Sequence, residues 1–161
     1  MQSQAPAHEY LEALLKEEAE LQFSSFDNAT AFALGQTAVD RATAENLPVA
    51  VLIRRNGQRI FQASLPGTGA DNDSWLDRKS RLVDQLAHSS YYMRNLAAGK
   101  GRTVAEMYHL DSARYAADGG AFPITLAGTG VIGTIAVSGL DQKEDHYFAV
   151  RMVREFLERT K

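Results

Sequence analysis

Apolar residues recur at helical spacing in the first third of the chain. The stretch from His8 to about Leu21 carries leucines on one face and glutamates on the other, which predicts an amphipathic helix. Asp27 or Asn28 can cap a second helix. The apolar positions are Leu11, Leu14 and Leu15 in the first helix and Phe32, Leu34, Ala38, Val39 and Ala42 in the second.

The segment VAVLIRRNGQRIFQASL predicts a β-hairpin. Two apolar runs flank Asn56-Gly57, a pair that favours a type I′ turn because both central residues need positive φ. A two-residue loop would place Ile53 opposite Ile60 and Leu52 opposite Phe61. Both faces of the inner half are apolar, so helices are expected on both sides of the sheet.

The second half of the chain predicts further helices and a second hairpin. Ser74–His88 and Ser90–Ala98 have helical patterns, whereas residues 103–118 have no clear pattern. AFPITLA and VIGTIAVSG are typical of strands, and a D-x-x-E capping pattern at Asp141 and Glu144 begins a last helix. Hairpins alternating with groups of helices predict an α+β fold with a central antiparallel sheet.

Composition narrows the class of protein. The 161 residues are expected to form one domain, 1–161, because the chain suffices for one sizeable core. A net charge of −3 argues against nucleic-acid binding, and the absence of cysteine excludes disulfides and thiolate metal sites. The start of the chain does not resemble a secretion signal, and no stretch approaches the ~18 apolar residues of a membrane helix. A cytoplasmic protein without membrane association is therefore expected.

Metal and nucleotide motifs are weak. The histidines His8, His88, His109 and His146 lie far apart, so no metal site is predicted. GTGVIG, residues 128–133, matches G-x-G-x-x-G, but a strand pattern follows where dinucleotide binding requires a helix. AGKGRT lacks the Walker spacing. Both motifs are interpreted as turns.

Lys79 interrupts an otherwise apolar helix face. That face consists of Trp75, Leu76, Leu82, Val83, Leu86 and Ala87. An ammonium group there must reach the rim or be paired, since an unpaired buried charge costs several kcal/mol. One interpretation is snorkelling, or pairing with Asp71, Asp73 or another buried carboxylate. The other is that Lys79 and Arg78 receive an anionic ligand, with Trp75 as a flat apolar wall.

Two further segments carry residues of chemical interest. Gly119-Gly120 allows a strained turn and close approach of backbone N–H groups to a ligand, although it can equally be a tight entry into a strand. His146 lies on the buried side of the last helix, where a histidine is more often a satisfied core residue than a ligand or base. Asp145 in the first turn is explained by the helix dipole.

The motifs LPGT..DN..W..RK, SSYY, YAA.GGAFPI, GTG..GT..VSGL and EDH resemble a known family. The chain is similar, over nearly its whole length, to the uncharacterised (UPF-type) bacterial and fungal proteins labelled heme-degrading-domain proteins. That family is related to GlcG/HbpS-like heme-binding proteins. The resemblance implies a profilin- or PAS-like domain with a central antiparallel sheet flanked by helices, and assembly into homo-oligomers. The matching positions are Asn72, Trp75, Arg78, Lys79, Ser89, Ser90, Tyr91, Gly119, Gly120, Phe122, Pro123, Ser138, Gly139, Asp145 and His146.

One position departs from the family pattern. Where YAAHGG is expected, the chain has Asp118. An aspartate is a poor ligand for heme iron, so the departure weakens the case for heme as a cofactor.

Three functions follow as hypotheses. The first is binding of heme or another anionic, partly aromatic molecule, with His146 or His109 as candidate axial ligands. Its predicted ligand-binding residues are Asn72, Trp75, Arg78, Lys79, Tyr91, Gly119, Gly120, Phe122 and His146. The second is an oligomeric scaffold without a small ligand. The third is an enzyme, with Lys79, Asp145 and His146 as acid–base candidates and no complete catalytic set in the spacing.

The position of the site is itself predicted. We expect the loop TGADND, with Ser74 or Asp73 capping the helix that follows, the Gly119-Gly120 turn and the EDH segment to converge on one cleft. Lys79 should then lie within reach of the Gly119-Gly120 backbone or of His146, because buried polar groups need partners.

Overall fold

The structure, a computed structural model, describes residues 6–161 and contains one five-stranded sheet. The strands are β1 (Gln22–Phe23), β2 (Ala50–Arg55), β3 (Gln58–Ser64), β4 (Ala121–Leu126) and β5 (Gly130–Ser138). Their order is β1-β4-β5-β2-β3. Four strands pair antiparallel, whereas the short β1 pairs parallel with β4 at one edge. The predicted antiparallel sheet is therefore correct for the centre, and the complete sheet is mixed.

Six helices accompany the sheet in the described part of the chain. They are α1 (His8–Glu20), α2 (Asn28–Ala44), α3 (Ala70–Leu86), α4 (Ser90–Gly99), α5 (Val104–Tyr108) and α6 (Gln142–Arg159). Asp27 caps α2 and Asp141 caps α6, as their positions predicted. Within residues 6–161, none of these helices combines the length and apolarity that spanning a membrane requires.

Helices cover both faces of the sheet, as the apolar strands predicted. Helices α2 and α6 pack against a face that includes Val51, Ile53 and Phe122. Helix α3 packs against the opposite face through Leu76 and Val83. Helices α1, α4 and α5 form a second apolar cluster beyond α3. This arrangement confirms the α+β class and places Lys79 of α3 directly over the sheet.

The first hairpin has the predicted turn but a different register. Asn56 and Gly57 both have positive φ, 49° and 81°, as a type I′ turn requires. Ile53 nevertheless pairs with Phe61 rather than with Ile60, because the register shifts between Ile53 and Arg54. The predicted pairing is therefore wrong, since a β-bulge inserts Ile60 as an extra residue.

Helix α3 begins four residues earlier than predicted. Its N-cap is Gly69, whose N–H donates to Asn72 Oδ1 at 2.9 Å. The predicted caps, Asp73 and Ser74, lie inside the helix. The amide side chain of Asn72 thus performs the capping that the prediction assigned to a later carboxylate or hydroxyl group.

The GTGVIG motif serves the second hairpin. Gly128 and Gly130 adopt φ of 79° and 119° around the turn between β4 and β5. A Cβ on Gly133 would collide with the backbone of Arg54 on the neighbouring strand. The interpretation of these glycines as turn and strand-packing residues is confirmed.

Glutamate side chains of α1 connect this helix to the rest of the molecule. Glu18 accepts a 2.7 Å hydrogen bond from Ser89 N–H and lies 2.7 Å from His88 Nδ1. The hydrogen bond between the His88 ring and the Glu18 carboxylate raises the pKa of His88 above its ordinary value. Protonated His88 therefore contributes to the docking of α1.

Replacing His88 by asparagine should remove a pH-dependent part of the stability. Because the folded-state pKa of His88 is raised, its contribution is fully present below about pH 6.5 and is lost as pH rises through that folded-state value. Urea unfolding at about pH 5.5 and about pH 8.5 should show the variant less stable than wild type mainly at the lower pH. An equal difference at both pH values would contradict this assignment. His8→Asn, in an exposed pair with Glu12, is the matched control.

Candidate ligand-binding site

Lys79 is a buried, ion-paired residue. Only 2% of it is exposed, and its Nζ donates to Val137 O at 3.0 Å and to Asp145 Oδ2 at 3.3 Å. The other carboxylate oxygen, Asp145 Oδ1, accepts from Leu140 N–H at 2.9 Å. Of the interpretations of Lys79, pairing with a buried carboxylate is confirmed. That partner is Asp145 of α6 rather than Asp71 or Asp73.

Burial opposes both charges of this pair. Desolvation raises the pKa of Asp145 to about 6, although the Lys79 ammonium and the Leu140 N–H act in the opposite direction. Desolvation also lowers the pKa of Lys79, again against the attraction of Asp145. The helix dipole alone therefore does not account for Asp145, whose principal partner is Lys79.

The Gly119-Gly120 turn lies against the same pair. Gly120 has a φ of 137°, and a Cβ built on it would lie 2.7 Å from Lys79 Nζ and 3.2 Å from Asp145 Cβ. Gly119 N–H donates to Gln142 Oε1 at 3.0 Å. The predicted convergence of the α3 start, the glycine turn and the α6 start is confirmed in its geometry.

A small cleft, the lysine cleft, opens beside this pair and has a volume of about 270 Å³. Asn72 lies in its wall and donates from Nδ2 to Ser138 Oγ at 3.0 Å. The lining residues are Asp71, Asn72, Trp75, Lys79, Asp118, Ser138, Gly139, Leu140, Gln142 and Asp145. The cleft is therefore strongly polar, with three carboxylates around one amine.

A larger cleft, the arginine cleft, lies between α3, α4 and the segment of residues 102–118, and has a volume of about 380 Å³. Its cationic residues are Arg78, Arg94 and Arg102, and its apolar walls include Leu82 and Leu110. The guanidinium of Arg78 stacks 4.1 Å from the centre of the Trp75 ring. Trp75 and Asp118 line both clefts, which are therefore neighbours.

His146 lies away from both clefts. It is 1% exposed, and its ring packs 4.8 Å from Tyr91 and 4.9 Å from Tyr147. Nε2 lies 3.4 Å from Glu17 Oε1, and the buried Nδ1 has no hydrogen-bond partner among the described residues. His146 faces neither cleft, because α6 turns adjacent residues to different sides and α1 covers His146. Its role in ligand binding stays a prediction.

Two predicted aromatic contacts also lie in the interior. Phe122 is fully buried in the core under α2 and α6, and Tyr91 is 8% exposed within the cluster formed by α1 and α4. Neither residue lines the lysine cleft or the arginine cleft. Trp75 and Arg78 line the arginine cleft, whereas Lys79, predicted to act with Arg78, lines only the lysine cleft. The sequence did not single out Arg94, Arg102 and Tyr115, which also line the arginine cleft.

Metal ligands do not cluster in the described structure. Among residues 6–161, no group of three or more histidine, aspartate or glutamate side chains is arranged to hold a metal ion. The polar side chains that line the two clefts carry guanidinium, ammonium, carboxylate, amide and hydroxyl groups.

Comparison with known proteins agrees with this architecture. A UPF0303 protein of Streptomyces coelicolor is 45% identical over 155 residues, covering 96% of this chain and 98% of that protein. The crystal structure of the Ybr137w protein has a TM-score of 0.84 at 32% identity, covering 93% of this chain and 88% of that one. The heme complex of PduOC has a TM-score of 0.67 at 20% identity, covering 81% and 92%.

The family model described as haem degrading protein HbpS-like matches residues 26–154. This match includes every strand of the sheet except β1, and it contains the residues that line the two clefts. The chain therefore belongs to the family of HbpS-like haem-degrading proteins.

Proposed function

We propose that this protein binds a small anionic, partly aromatic molecule in the arginine cleft. The observation that carries the proposal is the convergence of Arg78, Arg94 and Arg102 on a cavity of about 380 Å³ with apolar walls. Pockets of this size and mixed lining are typical of small-molecule sites. The PduOC structure, which has a similar fold, is a complex with heme, and this supports an acidic aromatic molecule as the ligand class.

Charge in the cleft favours an anion. The lining of the arginine cleft includes three arginines and one carboxylate, that of Asp118, which lies 3.3 Å from Arg94 Nη1. That pair is about half exposed, so it is weak and can exchange for a ligand carboxylate. Guanidinium groups bind carboxylates in bidentate geometry, and the indole of Trp75 offers a flat surface beside Arg78.

Heme fits this cleft only in part. The arginines suit its propionates, but the lining of the arginine cleft contains no histidine, methionine or cysteine, and Tyr115 is the one side chain in that lining of a type that holds heme iron. His146 is enclosed, and His109 is exposed outside the lining. The residues present therefore do not fit histidine-ligated heme, and the proposed ligand class is defined by its acidic groups and aromatic ring.

Titration with protoporphyrin IX without metal should quench the fluorescence of Trp75, the single tryptophan of the chain, in a saturable manner. Arg78→Met should weaken this binding by about 10- to 100-fold, because a hydrogen bond to a charged group contributes roughly 1.5–3 kcal/mol. Arg41→Met, on α2 across the sheet, is the matched control and should bind like wild type.

Quenching without saturation, or equal affinities for the two variants, would contradict the proposal. A parallel titration with hemin separates recognition of the acidic groups from ligation of the iron, since similar affinities are expected for both porphyrins. Native mass spectrometry of the same samples measures ligand stoichiometry. It also counts the subunits, which must exceed one if the proposed homo-oligomer forms.

A further inference from the structure

We propose that the lysine cleft is a second site, in which Lys79 condenses with a small aldehyde or ketone to form an imine. The proposed anion binding in the arginine cleft does not use Lys79, and a structural ion pair does not require a cleft beside it. Lys79 and Asp145 instead both belong to the lining of the lysine cleft. For imine formation the protein must supply an amine as the nucleophile and a nearby acid to transfer protons, and Lys79 and Asp145 are such a pair.

The hydrogen bonds of Lys79 leave one N–H bond of its ammonium group uncommitted. Val137 O and Asp145 Oδ2 accept two of the three N–H bonds that an ammonium group carries. The backbone of Gly120 closes one side of Nζ, since a Cβ there would come within 2.7 Å of it, so a carbonyl compound would have to approach from the lysine cleft, which Lys79 lines. The cleft volume of about 270 Å³ limits the carbonyl compound to a small one.

The groups that surround the amine can move the required proton. The neutral amine of Lys79 forms the new C–N bond, and the carbonyl oxygen takes a proton from Asp145. The nitrogen then returns a proton to Asp145, which leaves a carbinolamine. Asp145 protonates its hydroxyl group, which departs as water while the C=N bond forms. This gives a protonated imine beside the Asp145 carboxylate, and return of the last proton to Asp145 gives the neutral imine. The sum is amine plus carbonyl giving imine plus water, with no oxidant or reductant.

Electrostatics support the same assignment. Burial lowers the pKa of Lys79, which increases the fraction of neutral amine at neutral pH. Burial also raises the pKa of Asp145 to about 6, the range in which a carboxyl group exchanges protons readily near neutrality. Lys100 and Lys143 lie on the exposed surface and lack this environment.

Reductive trapping tests the proposal on the folded, full-length protein. Wild-type protein is incubated with propanal and cyanoborohydride at about pH 7, and peptide mass spectrometry then compares all the lysines of the chain. We expect Lys79 to be alkylated several-fold more than Lys100 or Lys143, since burial lowers its pKa and so increases the fraction of neutral amine. Alkylation of the exposed lysines without Lys79 would overturn the proposal.

The Asp145→Asn variant distinguishes proton transfer by Asp145 from the access of propanal to Lys79. This variant keeps an oxygen that can accept from Leu140 N–H, and circular dichroism confirms whether it is folded. We expect trapping at Lys79 to fall several-fold while trapping at Lys100 stays constant. Unchanged trapping at Lys79 would exclude Asp145 as the proton donor. Failure of porphyrin binding leaves this result untouched, because the readout is a covalent adduct in a different cleft.

Discussion

Replacing Lys79 by methionine should lower the free energy of unfolding by about 3–5 kcal/mol, because the substitution leaves the carboxylate of Asp145 buried without its cation. Both side chains are 3% exposed, so solvent screening does not reduce this effect. For a protein of this length the melting temperature should fall by roughly 2–4 °C per kcal/mol. Urea unfolding monitored by circular dichroism measures the change directly.

The double variant Lys79→Met with Asp145→Asn is the control for this interpretation. It removes both charges and keeps an oxygen to accept the Leu140 N–H, so it should be more stable than Lys79→Met alone. If the two substitutions instead destabilise additively, the energetic coupling between Lys79 and Asp145 is absent. The loss would then come from packing of the lysine side chain.

Gly120→Ala should be the second strongly destabilising substitution, with an expected loss of about 3 kcal/mol or more. The alanine would adopt a φ of 137°, which side chains disfavour. Its Cβ would also press on Val137 O, Lys79 Nζ and the Cβ of Asp145. The substitution therefore has two effects: it strains the backbone, and it pushes Lys79 and Asp145 apart.

Gly128→Ala provides a matched comparison. Gly128 also has positive φ, 79°, but a Cβ there would meet no atom within 4 Å. Its cost should be limited to the backbone term, about 1 kcal/mol. Thermal unfolding of both variants tests the assignment, and equal losses would show that the contacts around Gly120 contribute nothing.

The sequence predicts the fold well where one local rule decides the outcome. Periodic apolar positions located the main helices, and Asn56-Gly57 located the first turn. The bulge at Ile60 was missed because both faces of that hairpin are apolar, so a shifted register does not expose an apolar face. The start of α3 was missed because a glycine N-cap and an asparagine at the third helical position give a weak sequence signal.

The candidate site is predictable from the sequence only in part, because only some of its residues stand out from the local sequence pattern. Lys79 could be recognised because a charge on an apolar helix face demands a partner, and the structure supplies one. Arg94 and Arg102 gave no such signal, since exposed arginines are common and their convergence depends on the turn between α4 and α5, in which Arg102 lies. Asp118 was noticed only as a departure from a family pattern, and the structure makes it a wall of both clefts.

The pairing of β2 with β5 joins the two hairpins at the centre of the sheet. Ala50 lies opposite Ser138, and a large part of the chain, including α3, α4 and α5, connects the two strands. Closing so long a loop costs conformational entropy before the central contacts form, so we expect the two hairpins to join late and slowly during folding. Lys79, Val137 and Asp145 meet only when that closure is complete. The lysine cleft therefore exists only in the fully assembled sheet, and neither half of the chain can form it alone.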